Sequence, residues 1–138
     1  MKIASIDPGR EKCGFAILDS AGKILDHRIL ETSKLIDEIL ESFNRFAFDK
    51  IILGNGTSSR DAKSKIENWI SEQKISVELK IVDEFKTTEM ARIRYWQENP
   101  PQSWRKFLPT TMLVPPEPVD DWVAVILAER FLKLEEST

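Results

Sequence analysis

The stretch IASIDPGREKCGFAILD, residues 3–19, decides the fold. Its first apolar run ends on Asp7 and turns at once through Pro8-Gly9, since proline presets φ and glycine accepts positive φ. A second apolar run follows directly, so Ile3 to Asp7 and Cys13 to Leu18 read as two strands. Ala21-Gly22 then turns the chain into a third strand, Lys23 to Leu30. Three consecutive strands with connections this short pair as antiparallel neighbours. Asp-Pro-Gly is also an ordinary turn tripeptide, so a chemical role for Asp7 has to rest on residues elsewhere.

Beyond Leu30 the apolar period changes. Leu35, Ile36, Ile39, Leu40, Phe43 and Phe46 fall on one helical stripe, in a helix ending near Ala47. Ile51-Ile52-Leu53 is continuously apolar, as in a strand covered on both faces, and stops at Gly54-Asn55-Gly56. Ser58 with Asp61 three residues on predicts a capping box for a helix that presents Ala62, Ile66, Trp69 and Ile70 on one side. Val77 to Val82 reads as a fifth strand ending at Asp83-Glu84, and Thr87 to Trp96 as a helix that Asn99-Pro100-Pro101 stops. Residues 97–118 read as a structured loop anchored by Trp104, Phe107, Met112 and Leu113, and a last helix runs from about Asp120 to Leu134. The predicted fold is α/β: a mixed five-stranded sheet, three antiparallel strands and then parallel ones, with helices on both faces. On such sheets ligands gather at the carboxyl ends of the parallel strands.

Composition narrows the chemistry. The 138 residues suit one domain spanning 1–138. A single cysteine, Cys13, and a single histidine, His27, exclude an internal disulfide and a Cys/His zinc site, so any metal would be held by oxygen. The N-terminus lacks a basic and apolar leader pattern, and no apolar run approaches membrane-spanning length. A cytoplasmic compartment and no membrane partner are therefore expected. The net charge of −3 argues against a protein that coats nucleic acid by bulk electrostatics. Locally, Arg92, Arg94, Arg105 and Lys106 interleave with Tyr95, Trp96, Trp104 and Phe107, a basic and aromatic stretch that taken alone reads as a solvated helix and a packed loop rather than a nucleic-acid surface.

Three acids stand at element ends. Asp7 closes the first strand, Glu84 follows the fifth, and Asp120 opens the final helix. With the first strand central, the ends of the first, fourth and fifth strands converge on one edge. Acids gathered there repel unless a cation joins them, and an all-oxygen set suits Mg²⁺ or Mn²⁺. Asp120 shares a helical face with Ala124, Leu127 and Phe131 and so points inward, although Asp also suits a helix N-cap and Asp121 could cap in its place. Strand alternation puts Asp83 with Leu79 and Ile81, and Glu84 with Val82, which leaves the two acids as competitors. Gly54-Asn55-Gly56-Thr57 precedes a helix N-terminus, where small residues let backbone N–H groups approach a phosphate. It lacks the spacing and lysine of the nucleotide fingerprints and is equally a plain strand-to-helix turn.

Together these features resemble the RNase H-like superfamily, and most closely its YqgF/RuvX branch of pre-16S rRNA processing nucleases and resolvase-like proteins. Asp7-Pro-Gly9 with Gly14 and Ala16 is similar to the branch's opening motif, with Lys12 at one of its basic positions and Glu11 at the other. Asp83 to Thr88 resembles its Asp-Glu-Arg segment, with Phe85 in place of arginine, and selects Glu84 over Asp83. Asp120 to Leu127 resembles the final Asp-plus-alanine helix, and Gly54 to Thr57 with Ser59-Arg60 resembles the turn of the YqgF-like domain of the Tex transcription-accessory protein.

The resemblance implies a metal-dependent endonuclease acting on structured RNA or DNA as a monomer or homodimer. Precursor rRNA is the foremost substrate. A Holliday junction resolvase acting on four-way DNA and a non-catalytic nucleic-acid-binding module are the alternatives. A sugar-kinase or actin-like ATPase half also begins with strand, Asp-Gly turn and strand, but would need a second lobe. The resemblance further implies that Asp7 bridges two Mg²⁺ or Mn²⁺ ions about 4 Å apart. Glu84 and Asp120 would complete their shells, with Asp121 in reserve. Lys12, Asn55, Arg60, Arg92, Arg105 and Lys106 would hold the nucleic acid, and Trp96 or Trp104 would stack on an unpaired base.

Overall fold

The computed structural model describes residues 1–102, 106–109 and 112–136. Strands β1 (Lys2–Asp7), β2 (Lys12–Asp19) and β3 (Ile24–Glu31) come first, followed by a 3-10 turn over Thr32–Lys34. Then follow α1 (Leu35–Phe46), β4 (Lys50–Gly54), α2 (Ser59–Gln73), β5 (Glu78–Val82), α3 (Thr87–Glu98) and α4 (Asp120–Glu136). The sheet order is β3-β2-β1-β4-β5. The pairs β1–β2 and β2–β3 are antiparallel, while β1–β4 and β4–β5 are parallel. The order of elements and the central place of β1 match the sequence expectation, with ends moved by one or two residues where elements fray.

The sheet is covered on both faces, which explains the uninterrupted apolar runs of β1, β2 and β4. On one side Ile3, Ala16, Leu18 and Ile52 pack with Val123, Ala124, Leu127 and Phe131 of α4. On the other side Ile6, Phe15, Ile17 and Leu53 pack with Leu35 and Ile39 of α1 and Ile66 and Trp69 of α2. Helix α4 touches all five strands and is itself covered by α3, so its residues from Trp122 to Ala128 are buried without interruption. Among the described residues no helix is long and apolar enough to cross a membrane.

Three local expectations are corrected. The inward side of α1 carries Leu35, Ile39 and Ser42, leaving Leu40 exposed. The Ser42 hydroxyl is affordable there because it accepts a hydrogen bond from Arg28 Nη2 at 2.9 Å. Of the loop anchors, Leu113 packs on the core, Phe107 and Met112 are exposed, and Trp104 lies outside the described residues.

The capping box at Ser58 and Asp61 does not form. Ser58 has φ −92° and ψ 5°, away from the extended backbone a side-chain cap requires, and Asp61 pairs with Lys65 at 3.1 Å. Ser58→Ala is therefore expected to change stability by less than about 0.5 kcal/mol, against about 1 kcal/mol for a working cap. A thermal melt of the two proteins checks this.

Candidate active site

Asp7 is the last residue of β1 and pairs in register with Gly14 of β2. Gly14 lacks a side chain for a definite reason: a Cβ built there would lie 1.8 Å from the carbonyl oxygen of Asp120. The first turn of α4 thus rests directly on the β2 backbone, and this contact brings Asp120 beside Asp7.

Glu84 reaches the same place from the far side of β4. A Cβ on Gly54 would lie 2.0 Å from Glu84 Oε1, and one on Gly56 would lie 2.5 Å from Oε2. The Gly54-Asn55-Gly56 turn is therefore the seat of the Glu84 carboxylate. Asn55 completes it: its Oδ1 accepts the Glu84 N–H at 3.0 Å, and its own N–H donates to Val82 O at 3.1 Å. The Glu84 carbonyl accepts from the Thr87 hydroxyl at 2.8 Å and the Thr87 N–H at 3.1 Å. Asp83 faces the loop instead, its Oδ1 accepting from Phe85 N–H at 3.3 Å and Asn55 Nδ2 at 3.4 Å. Geometry separates two acids that strand alternation could not, because β5 ends at Val82 and the chain turns immediately after it.

The carboxyls of Asp7 and Glu84 lie within hydrogen-bonding reach of each other, with Asp120 close enough to act on Asp7 by charge. Burial, then the Glu84 contact and its charge, then the Asp120 charge push the Asp7 carboxyl up to about 8. Burial and the neighbouring Asp121 raise Asp120 above the usual carboxylate range, opposed by the nearby Lys12. Glu84 Oε1 is buried with no hydrogen-bond partner among the described residues. Among the described residues no three His, Cys, Asp or Glu side chains are gathered as a ready-made cage for an ion. The arrangement is an acid pair with a third acid alongside.

The remaining sequence candidates are placed less uniformly. Asp121 is engaged elsewhere, with its Oδ2 2.7 Å from His27 Nδ1, and the His27 ring lies 4.5 Å from that of Trp122. Asn55, expected to face nucleic acid, spends its side-chain amide on Glu84 and Asp83. Lys12, Arg60, Arg92 and Lys106 are exposed, whereas Arg105 lies outside the described residues. Trp96 is buried in the core beneath α4, so it is not a stacking platform. Arg94 is tied to Glu129 at 2.8 Å and Glu98 at 3.3 Å. The sequence reading did not single out Arg10, which with Leu35, Ser58, Asp61 and Lys65 lines a cavity of about 280 Å³ between the β1–β2 turn and the start of α2. Its place directly after Pro8-Gly9 was the available signal.

The family described as Tex protein YqgF-like domain matches residues 1–90. The chain belongs to this family. The matched YqgF-like region takes in Asp7, Gly14, the Gly54-Asn55-Gly56 turn and Glu84, and stops before α4. No curated protein matches the chain. Among solved structures, Thermus thermophilus RuvC in complex with Holliday junction substrate is similar over 100% of this chain and 98% of its own, with TM-score 0.61 and 15% identity. The Fowlpox virus resolvase in complex with substrate Holliday junction DNA is similar over 98% of this chain and 99% of its own, with TM-score 0.62 and 16% identity. This likeness establishes the RuvC-like, RNase H-like fold expected from the sequence.

Proposed function

We propose that this YqgF-like domain is a metal-dependent endonuclease that hydrolyses phosphodiesters of structured nucleic acid, with Asp7, Glu84 and Asp120 holding the cation. The observation that supports it most is the Asp7–Glu84 pair, two half-buried carboxyls within hydrogen-bonding reach of each other, with Asp120 acting on Asp7 by charge and Glu84 Oε1 buried without a partner among the described residues. Such a pair needs a proton or a cation. Mg²⁺ and Mn²⁺ fit the set, because these ions are bound by one or two carboxylates together with water and substrate phosphate and do not demand a full protein cage. When bound, the cation supplies Lewis-acid stabilisation of phosphodiester oxygens and a more acidic water.

The chain's own residues do the rest. Burial and the Glu84 contact push the Asp7 carboxyl up to about 8, and a cation held there would favour its charged form. The glycine seat and Asn55 hold Glu84 in one place. Lys12, beside Asp120, and Arg10, next to the β1–β2 turn that carries Asp7, draw the phosphate backbone toward the acids. Precursor rRNA is the substrate that the sequence resemblance favours. Four-way DNA is favoured by the two resolvases whose fold the chain shares.

The test is incubation of the protein with structured RNA, four-way DNA junctions and single strands, in Mg²⁺, Mn²⁺ or EDTA. Cleavage is expected with either metal and is abolished by the chelator. Absence of cleavage of every substrate with both metals overturns the proposal, and tight binding in that case identifies a non-catalytic nucleic-acid module.

A further inference from the structure

Glu84 lies in a loop, yet the backbone around it is tied down on all sides. Its own N–H and C=O are held by Asn55 and Thr87. The carbonyls on either side are held from a different element. Arg130 of α4 donates from Nη1 to Asp83 O at 2.9 Å and from Nη2 to Phe85 O. Its Nη2 also lies 3.2 Å from Met90 Sδ, at the first turns of α3. One guanidinium therefore grips the residue before Glu84 and the residue after it.

The loop needs such a grip. Phe85 is 66% exposed, so it gives the loop no apolar anchor. Lys86 has φ 58°, a left-handed backbone that a non-glycine residue adopts at a cost. What Arg130 grips with matters as much as where. Its donors form a rigid planar fork that can span two carbonyls, which a lysine ammonium on a flexible stem cannot reproduce. Arg130 also shares α4 with Asp120, about 15 Å along the helix axis by the rise per residue. The helix that carries one acid thus holds the loop that carries another.

We propose that Arg130 is a positioning residue that fixes Glu84 relative to Asp120, and so sets the spacing of acids on which cation binding depends. This rests on the cation site proposed above. The test measures Mn²⁺ affinity by calorimetry and amide hydrogen exchange in the metal-free protein. It compares the unaltered chain with Arg130→Met, Arg130→Lys and, as a control, Arg94→Met, which breaks the tie between α3 and Glu129 of α4.

Arg130→Met is expected to lose about tenfold or more in Mn²⁺ affinity, as for other residues that orient ligands. It should also exchange the Glu84 and Thr87 amides about tenfold faster, as local opening requires, without change in the amides of β1. Arg130→Lys recovers part of the affinity. Arg94→Met lowers the melting temperature and leaves Mn²⁺ affinity unchanged, which separates positioning from general weakening. Unchanged Mn²⁺ affinity in Arg130→Met overturns the proposal, with or without faster exchange. Failure of the unaltered protein to bind Mn²⁺ overturns the cation reading itself, and is recognised without any variant.

Discussion

Asp7→Asn is expected to lose about 10³-fold or more of nuclease activity, the equivalent of roughly 4 kcal/mol of transition-state stabilisation. The same variant should melt at a higher temperature than the unaltered protein when both are free of metal. The two effects share a cause. Asp7 is central to the acid set because β1 is the central strand, with Glu84 on one side and Asp120 on the other. Its charge is what a cation would use and what the metal-free fold tolerates poorly.

The pH dependence follows with a definite sign. The folded protein holds the Asp7 carboxyl at about 8, well above its ordinary 3.8, so the native state binds the proton more tightly than the unfolded chain does. Stability from this group is fully present below about pH 4 and is lost as pH rises toward 8. Asparagine keeps the shape and carries no charge, so Asp7→Asn should remove this slope. At pH 8 Asp7→Asn is therefore expected to melt several degrees above the unaltered protein, and below about pH 4 to show no such gain. Thermal melts of both proteins in EDTA, from pH 5 to pH 9, together with cleavage assays in Mn²⁺, check the two halves. Cleavage retained by Asp7→Asn would remove Asp7 from the site.

How much of this was legible beforehand depends on which interactions placed each residue. Asp7 was legible because it ends a strand whose apolar pattern is unambiguous, and Asp120 because a helix face can be counted from Ala124, Leu127 and Phe131. Glu84 was legible only through the family resemblance and not through strand pattern, since its orientation comes from a seat built by residues some thirty positions earlier and from hydrogen bonds made after the strand has ended. Periodicity carries no information about either. The same blindness hid the use of Asn55 and Arg130, whose partners are backbone groups of another element and leave no pattern in sequence. Trp96 failed in the opposite way. An aromatic beside arginines looks like a nucleic-acid surface, but α3 turns that residue inward against α4, and Arg94 is consumed by Glu129.

The glycines at the two close approaches separate stability from activity in a single experiment. Gly14→Ala places a Cβ 1.8 Å from the Asp120 carbonyl oxygen, an atom of the helix backbone that cannot swing aside. The first turn of α4 must lift from β2, at an expected cost of about 3 kcal/mol or more and a fall of about 10 °C in melting midpoint. Gly54→Ala meets the Glu84 carboxyl at 2.0 Å, the far end of a flexible side chain. That side chain can move, so stability should fall by only about 1 kcal/mol. The carboxylate loses its seat, however, and a displacement of about 1 Å at a reacting centre costs on the order of 10²-fold in rate. The expected pattern is a strongly destabilised Gly14→Ala and a well-folded, poorly active Gly54→Ala, read by thermal melts, circular dichroism and cleavage in Mn²⁺. Combining Gly54→Ala with Glu84→Gln should then cost little more than Glu84→Gln alone, since both act through one carboxylate. Full additivity of the two would mean that the Gly54-Asn55-Gly56 turn serves the substrate directly rather than through Glu84.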